Sequence, residues 1–296
     1  MLAKEELSMS RHFTRLLKSI RVLGFLNGAT VYFHYFYHRL LKSEAWAARE
    51  MRVRSISKPI WMRPGVSDWI VMERIFMDRE YDPLSVAHDA AMDRLAKSIT
   101  ALGKKPLIID CGANIGMSSV WFAERFPDAT IIAVEPQPEN FKILALNARN
   151  FPNIIPVNAA ISDKMSRVSL TNETGTPWAW KTHESEAGEV ITLTIPHLAN
   201  LVEHTELMAV KVDIEGFEVN LFRDSTEWVD GLPLMMFEMH DWMTPWSGSG
   251  HAFLSVLVKH RRDYLVRGEN IFSYALPAPR RAAAVAAIPE VSIAYS

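Results

Sequence analysis

Leu107-Ile-Ile-Asp-Cys-Gly-Ala-Asn-Ile-Gly116, followed by Ile131-Ile-Ala-Val-Glu-Pro136, decides the fold. An apolar run ends in a glycine-punctuated turn, and a second apolar run ends in Glu135, 25 positions after Asp110. Buried strand, turn, helix and second strand are the parts of a nucleotide pocket. Gly112 lets the turn tighten, and Gly116 lets the helix begin close to the strand and to a ligand. Glu135, at the strand tip, stands where a carboxylate accepts hydrogen bonds from two ribose hydroxyls.

The turn also selects among nucleosides. Dinucleotide folds carry Gly-x-Gly-x-x-Gly so that backbone can approach a pyrophosphate. Here Asn114 replaces the middle glycine, which crowds a pyrophosphate but offers hydrogen bonds to an amino-acid carboxylate or ammonium. Asp110, directly before the turn, opposes a polyanion and suits a positive centre. Ribose, positive centre and amino-acid tail together describe S-adenosylmethionine, which the charges favour over NAD. An oxidoreductase is accordingly disfavoured.

Working outward, strands at 107–110, 130–134 and 154–159 alternate with helices at 117–126 and 138–149, the rhythm of a parallel sheet. Strand-like segments at 166–171 and 189–195 flank a polar loop, 172–188. A strand at 207–212, a helix at 216–223 and a strand at 234–238 follow, and 263–267 with 270–275 form a closing antiparallel pair. Upstream, helices are expected over 68–77 and 84–101, with Lys-Pro and Arg-Pro pairs breaking the chain between 57 and 65. Residues 1–55 read as helical, and the Ala/Pro-rich tail from 277 as poorly ordered.

The whole chain of 296 residues has 49% apolar and 22% charged residues, enough for one large domain with an appendage. A net charge of −2 gives no reason to expect nucleic acid. A single cysteine, Cys111, excludes an intramolecular disulfide and a cysteine-rich zinc site. The charged start lacks a cleavage-like signal, so a cytoplasmic protein is expected. Residues 1–63 hold twelve Lys/Arg against four Asp/Glu around the apolar, aromatic stretch 22–37. That stretch is too short and polar to span a bilayer. It fits either a helix packed on the main domain or one lying on the inner, anionic membrane face.

Asp110–Gly116, Glu135-Pro136, Asn147, Ser162-Asp163 and Lys211-Val-Asp-Ile-Glu-Gly-Phe-Glu218, taken together, resemble the FkbM family of S-adenosylmethionine-dependent methyltransferases. The similarity covers about residues 107–275, and Pro59-Ile-Trp-Met-Arg-Pro-Gly-Val-Ser-Asp68 resembles the leader of bacterial members. The resemblance implies a Rossmann-like α/β fold: a mostly parallel seven-stranded sheet with helices on both faces. It divides the chain into a helical extension (1–100), a methyltransferase domain (101–276) and a tail (277–296). It implies that Gly112, Asn114 and Gly116 line the methionine part of the cofactor, that Glu135 takes the ribose and that Asp163, with Ser162, lies near the adenine. Thr194 stands where many members carry aspartate, which weakens any role for that loop.

Methyl transfer from a sulfonium needs alignment and removal of the acceptor proton. Asp213, Glu215 and His240 are the candidate catalytic groups, with His240 the first choice for general base because its ordinary pKa is near neutral. No resident metal is expected, although Asp213 with Glu238 would form an oxygen-rich pair of the kind that suits Mg²⁺. Glu218 reads as a structural or solvent-facing carboxylate. Trp178, Trp180, Trp242 and Trp246 fall in loops by the same rim, where flat faces suit stacking on a sugar or planar acceptor. The expected reaction is O-methylation of a hydroxyl on a sugar of a glycan or lipid-linked saccharide. A small secondary metabolite as acceptor, or a non-catalytic module keeping the fold, are the other readings. The oligomeric state is left open.

Overall fold

The computed structural model describes residues 47–276, apart from 64–67, 172–180, 186, 216 and 242–244, together with scattered positions between 16 and 33. Its centre is the strand β3 (Lys105–Cys111), buried from Pro106 to Cys111. Continuous apolar character without alternation means that both faces are covered. On one side β3 pairs with β4 (Thr130–Val134) and then β5 (Ile154–Val157). On the other it pairs with β10 (Thr205–Val212) and then β11 (Leu234–Glu238). All four pairings are parallel. A hairpin, β12 (Arg262–Arg267) with β13 (Asn270–Ala275), closes the sheet, β13 lying antiparallel to β11. The order β12-β13-β11-β10-β3-β4-β5 is the expected seven-stranded, mostly parallel sheet.

This order reverses direction between β3 and β10, so their carboxyl ends open a crevice where ligands bind in open α/β sheets. Helices cover both faces. Val86–Ala101 (α2), Met117–Arg125 (α3) and Pro138–Asn150 (α4) lie near the expected positions. The helix expected over 216–223 contracts to Glu218–Leu221, and the strand-like segments after β5 form a small second sheet of β6 (Ala160–Ile161), β7 (Arg167–Thr171), β8 (Lys181–Glu184) and β9 (Val190–Leu193), in the order β6-β9-β7-β8.

The segment before the sheet departs most from expectation. Residues expected to continue a helix to position 55 contain β1 (Arg49–Met51), which pairs with β2 (Ile60–Met62). Next comes helix α1 (Asp68–Met72), which continues as a π-helical turn at Glu73–Met77. Met51, Ile60, Met62, Met72 and Ile75 share one buried cluster with Ile108, Ile115, Val120 and Phe122. From residue 47 onward, the leader expected as an appended extension up to 100 is therefore part of the domain's own core. Asn147 makes the joint. Its Oδ1 accepts from Trp61 N–H at 2.6 Å, and its Nδ2 donates to Trp61 O at 3.0 Å and Ile115 O at 2.8 Å.

Candidate active site

Two cavities open at the crevice and share a wall. The first, on the β4 side, is lined by Gly112, Asn114, Glu135, Asn140, Ala160 and Phe217 among others. The second, on the leader side, is lined by Val71, Arg74, Tyr81, Lys211 and Glu238 among others. Gly112, Asn114, Asp213 and Glu215 belong to both.

The wall is tight for a local reason. Gly112 has φ +78°, and a Cβ there would lie 1.7 Å from the Asp213 carbonyl oxygen. Only glycine lets the turn after β3 lie against the chain leaving β10. Gly116, at φ +90°, begins α3 where a Cβ would meet Leu144 at 2.7 Å. Asn114 takes the left-handed region, φ 51°, which asparagine tolerates better than most residues.

Glu135 is buried and held from both ends. Its Oε2 accepts from Asn114 N–H at 2.8 Å, and its Oε1 from Gln137 N–H at 2.9 Å. Burial pushes its pKa up to about 7 against those two donors. The Asn140 side chain adds a third favourable contact, and Glu135 lines the first cavity.

Asp110 sits elsewhere. It is fully buried, its Oδ2 accepts from the hydroxyls of Ser118 and Ser119 at 2.6 Å each, and its Oδ1 faces Lys211 Nζ at 3.3 Å. It lines neither cavity, so its charge acts on the protein's own lysine. Ser162 and Asp163 are buried beside Ile161 and bonded to each other, Ser162 Oγ donating to Asp163 Oδ1 at 3.0 Å, and they too line neither cavity.

Charged groups crowd the second cavity. Lys211 Nζ donates to Asp213 Oδ2 and to the Gly112 carbonyl, both at 3.2 Å. Arg74 pairs with Glu80, with Glu238 at 3.3 Å and with Glu269 at 3.6 Å. His240 Nδ1 lies 2.7 Å from Glu218 Oε1, and its Nε2 lies 3.4 Å from Asp213 Oδ1 and 3.9 Å from Glu215 Oε2. Burial pulls the His240 pKa down, but Asp213 and Glu218 outweigh it and lift the ring to about 11. At neutral pH the ring is an imidazolium, so the near-neutral pKa that favoured it as a base does not survive folding. Glu218 is fully buried against it, a structural carboxylate and not a solvent-facing one.

The carboxylates divide their titration unequally. Burial raises Asp213, yet Lys211 and His240 override it and hold it well below the usual carboxylate range. Burial and the charge on Asp213 push Glu215 up to about 7 and Glu238 up to about 8. Asp213 keeps its charge, and its neighbours hold protons more readily. Glu215 Oε2 has no hydrogen-bond partner among the described residues. Asp213, Glu238 and His240 bring ligand-type atoms within 4.8 Å of one another, the one such grouping among the described residues. Both carboxylates already face Lys211 or Arg74.

Lys211, Asn140 and the leader residues Arg74, Glu80 and Tyr81 were not singled out from the sequence as site residues. Lys211 and Glu218 carried a signal, since both lie in the segment 211–218 that bears the resemblance. Trp178, Trp180 and Trp242 lie outside the described residues, and Trp246 is fully exposed. Thr194 has a structural part: its hydroxyl caps the helix Ile195–Ala199 by accepting from His197 N–H at 3.2 Å. Aspartate performs that task equally well, which accounts for the exchange.

Fold and site define a Rossmann-like domain with a cavity of the kind that takes S-adenosylmethionine. The residues present suit that cofactor, for a buried carboxylate, an asparagine and apolar walls line one cavity that only glycine leaves open. Residues 110–267, just over half of the chain, match the methyltransferase FkbM domain, and the chain belongs to that family. Hexuronic acid methyltransferase AglP of Haloferax volcanii is 27% identical over 140 residues, 46% of this chain and 56% of AglP. Methyltransferase sdnD of Sordaria araneosa is 34% identical over 79 residues, 26% of this chain and 28% of sdnD. The chain thus spans little more than half, and about a quarter, of these two relatives. Among solved structures, the S-adenosylhomocysteine-bound methyltransferase PaMTH1 of Podospora anserina is similar at a TM-score of 0.37 and 14% identity, covering 71% of this chain and 86% of that one.

Proposed function

We propose that this enzyme methylates a hydroxyl of a sugar, with the first cavity holding the cofactor and the second the acceptor. The wall common to both cavities carries this reading: Asp213 and Glu215 face the two spaces at once. When bound, S-adenosylmethionine supplies an activated methyl group. Glu135 would accept from the ribose hydroxyls, and Asn114 would hold the amino-acid end.

Glu215 is the general base in this reading, in place of His240. Its pKa of about 7 matches the ambient pH, where a base combines availability with driving force. His240, Lys211 and Asp213 position it and fix the local charge. A wall with Glu80, Asp213, Glu215 and Glu238 favours an acceptor rich in hydroxyl donors. The hexuronic acid specificity in the name of the AglP relative supports a sugar. The test is transfer of labelled methyl from S-adenosylmethionine to sugar nucleotides, lipid-linked saccharides and polyketide alcohols in parallel. Label on a sugar hydroxyl is expected, and label confined to the polyketide alcohols would overturn the sugar.

Among the described residues no helix is long and apolar enough to cross a membrane. Leu17, Phe25 and Phe33 of the basic segment are exposed, which supports contact with an anionic lipid surface. Sedimentation with phosphatidylglycerol vesicles should fall when Phe25 and Phe33 are replaced by serine. Unchanged sedimentation would remove the membrane reading.

A further inference from the structure

The leader motif around Arg63 is not used by the chemistry above, yet it ends at the cofactor cavity. We propose that Arg63 is a positioning residue for that cavity, setting the orientation of the Asn140 amide beside Glu135. This rests on the reading of Glu135 as the ribose carboxylate.

Arg63 is itself held rigidly. Its Nε and Nη2 donate to Asp68 Oδ2 and Oδ1, each at 2.9 Å, and its backbone N–H donates to Asp68 Oδ2 at 2.8 Å. Asp68 is only 1% exposed, so the pair is fixed from within. The same Nη2 donates to Asn140 Oδ1 at 2.7 Å. Asn140 is buried on the first turn of α4, where its backbone N–H donates to Gln137 Oε1 at 2.5 Å, and it lines the first cavity.

An amide has one accepting end and one donating end. Arg63 occupies the accepting end, so the donating end is turned away from the leader. There it favours the charged form of Glu135. Without Arg63 the amide can reverse and set its oxygen against the carboxylate, two acceptors with no proton between them. The charge of Arg63 is already matched by Asp68, so what it contributes to the cavity is direction. A bidentate guanidinium serves both partners at once, and a lysine ammonium does not.

The experiment measures Kd for S-adenosylhomocysteine and its 2′-deoxyribose analogue by calorimetry. It compares the full-length wild type with Arg63→Ala, Arg63→Lys, Asn140→Ala, the Arg63→Ala/Asn140→Ala double variant and Glu135→Ala. Arg63→Ala is expected to weaken binding of S-adenosylhomocysteine about five- to tenfold, the size of one hydrogen bond. It should also lower the preference for the natural ribose, which a purely structural role would leave alone. The double variant should bind no worse than Asn140→Ala, because the two act in series.

Unchanged affinity in folded Arg63→Ala, equal losses for both ligands, or multiplied losses in the double variant would overturn the proposal. If Arg63→Ala does not fold, Asn140→Ala keeps the Arg63–Asp68 clamp and Arg63→Lys keeps its charge. An intact ribose preference in both would also overturn it. Unchanged binding by Glu135→Ala would instead remove the cavity reading itself, and this proposal with it.

Discussion

Glu135 carries two demands that pull against each other. It is buried, which disfavours its charge, and in the proposed role it accepts hydrogen bonds from ribose hydroxyls, which its charge favours. With its pKa at about 7, protonation and ribose binding compete in an accessible range. Affinity for S-adenosylhomocysteine should be flat above about pH 8 and fall below pH 7, by up to about tenfold per unit. Glu135→Ala should lose about 2–3 kcal/mol of binding, the range of a charged hydrogen bond, and lose the pH dependence with it. Calorimetry between pH 6 and 9 reads both, and a sloping mutant curve would assign the titration to another group. The base is tested at the same scale. Glu215→Gln should lower turnover about 10²- to 10⁴-fold while cofactor binding persists. His240→Gln should keep turnover but move the rising limb of the pH–rate profile upward, because a neighbouring cation has gone. Turnover that survives Glu215→Gln and vanishes with His240→Gln would restore the histidine as base. Residue type made Asp213, Glu215 and His240 legible as one rim. It could not order their pKa values, because that order depends on burial and on His240, from beyond β11, meeting Lys211, Asp213 and Glu218 of the segment 211–218.

At the scale of elements, the sheet was legible because its strands are continuous apolar runs ending in turn residues, and that signal is local. The leader was not, because Arg49–Met51 and Ile60–Met62 are three-residue strands whose pairing is set by a distant helix. Asn147 of α4 holds β2 at Trp61, and Asn150 holds the connection before it by donating to Pro59 O at 2.8 Å. Amphipathic spacing in the first 55 residues says nothing of such partners. The helix Ile195–Ala199, which follows the strand-like segment read to 195, was likewise not legible, since five residues give no period to read. Its cap is where the element can be tested. Thr194→Ala should destabilise the protein by about 1 kcal/mol, and Thr194→Asp should be neutral. Urea midpoints of the three proteins check this, and a Thr194→Asp loss as large as that of alanine would mean that the hydroxyl does something other than cap.

For the whole molecule, the crowding of carboxylates at one sheet edge sets the direction of its pH response. Glu135, Glu215 and Glu238 rise from an ordinary 4.5 to about 7, 7 and 8, so the folded state holds their protons more tightly than the unfolded chain. The stability that each contributes is fully present below pH 4.5 and is lost as pH rises through the folded value. His240 acts in the same sense: its contribution is complete below its ordinary 6.5 and fades towards 11. Asp213 acts oppositely, with a depressed pKa whose contribution is present above 3.8 and lost in acid. Four groups therefore slope downward across the neutral range while the opposing one is already saturated there. The ligand-free protein should melt at a higher temperature at pH 6 than at pH 8.5. Replacing Glu215 and Glu238 together by glutamine should make the slope shallower, since two of the four groups no longer titrate while Glu135 and His240 still do. Scanning calorimetry of both proteins across that interval decides it. A wild-type melting temperature that is level or rises with pH would mean that the cluster is compensated by further charge, a bound cation at Asp213, Glu238 and His240 being the first candidate to examine.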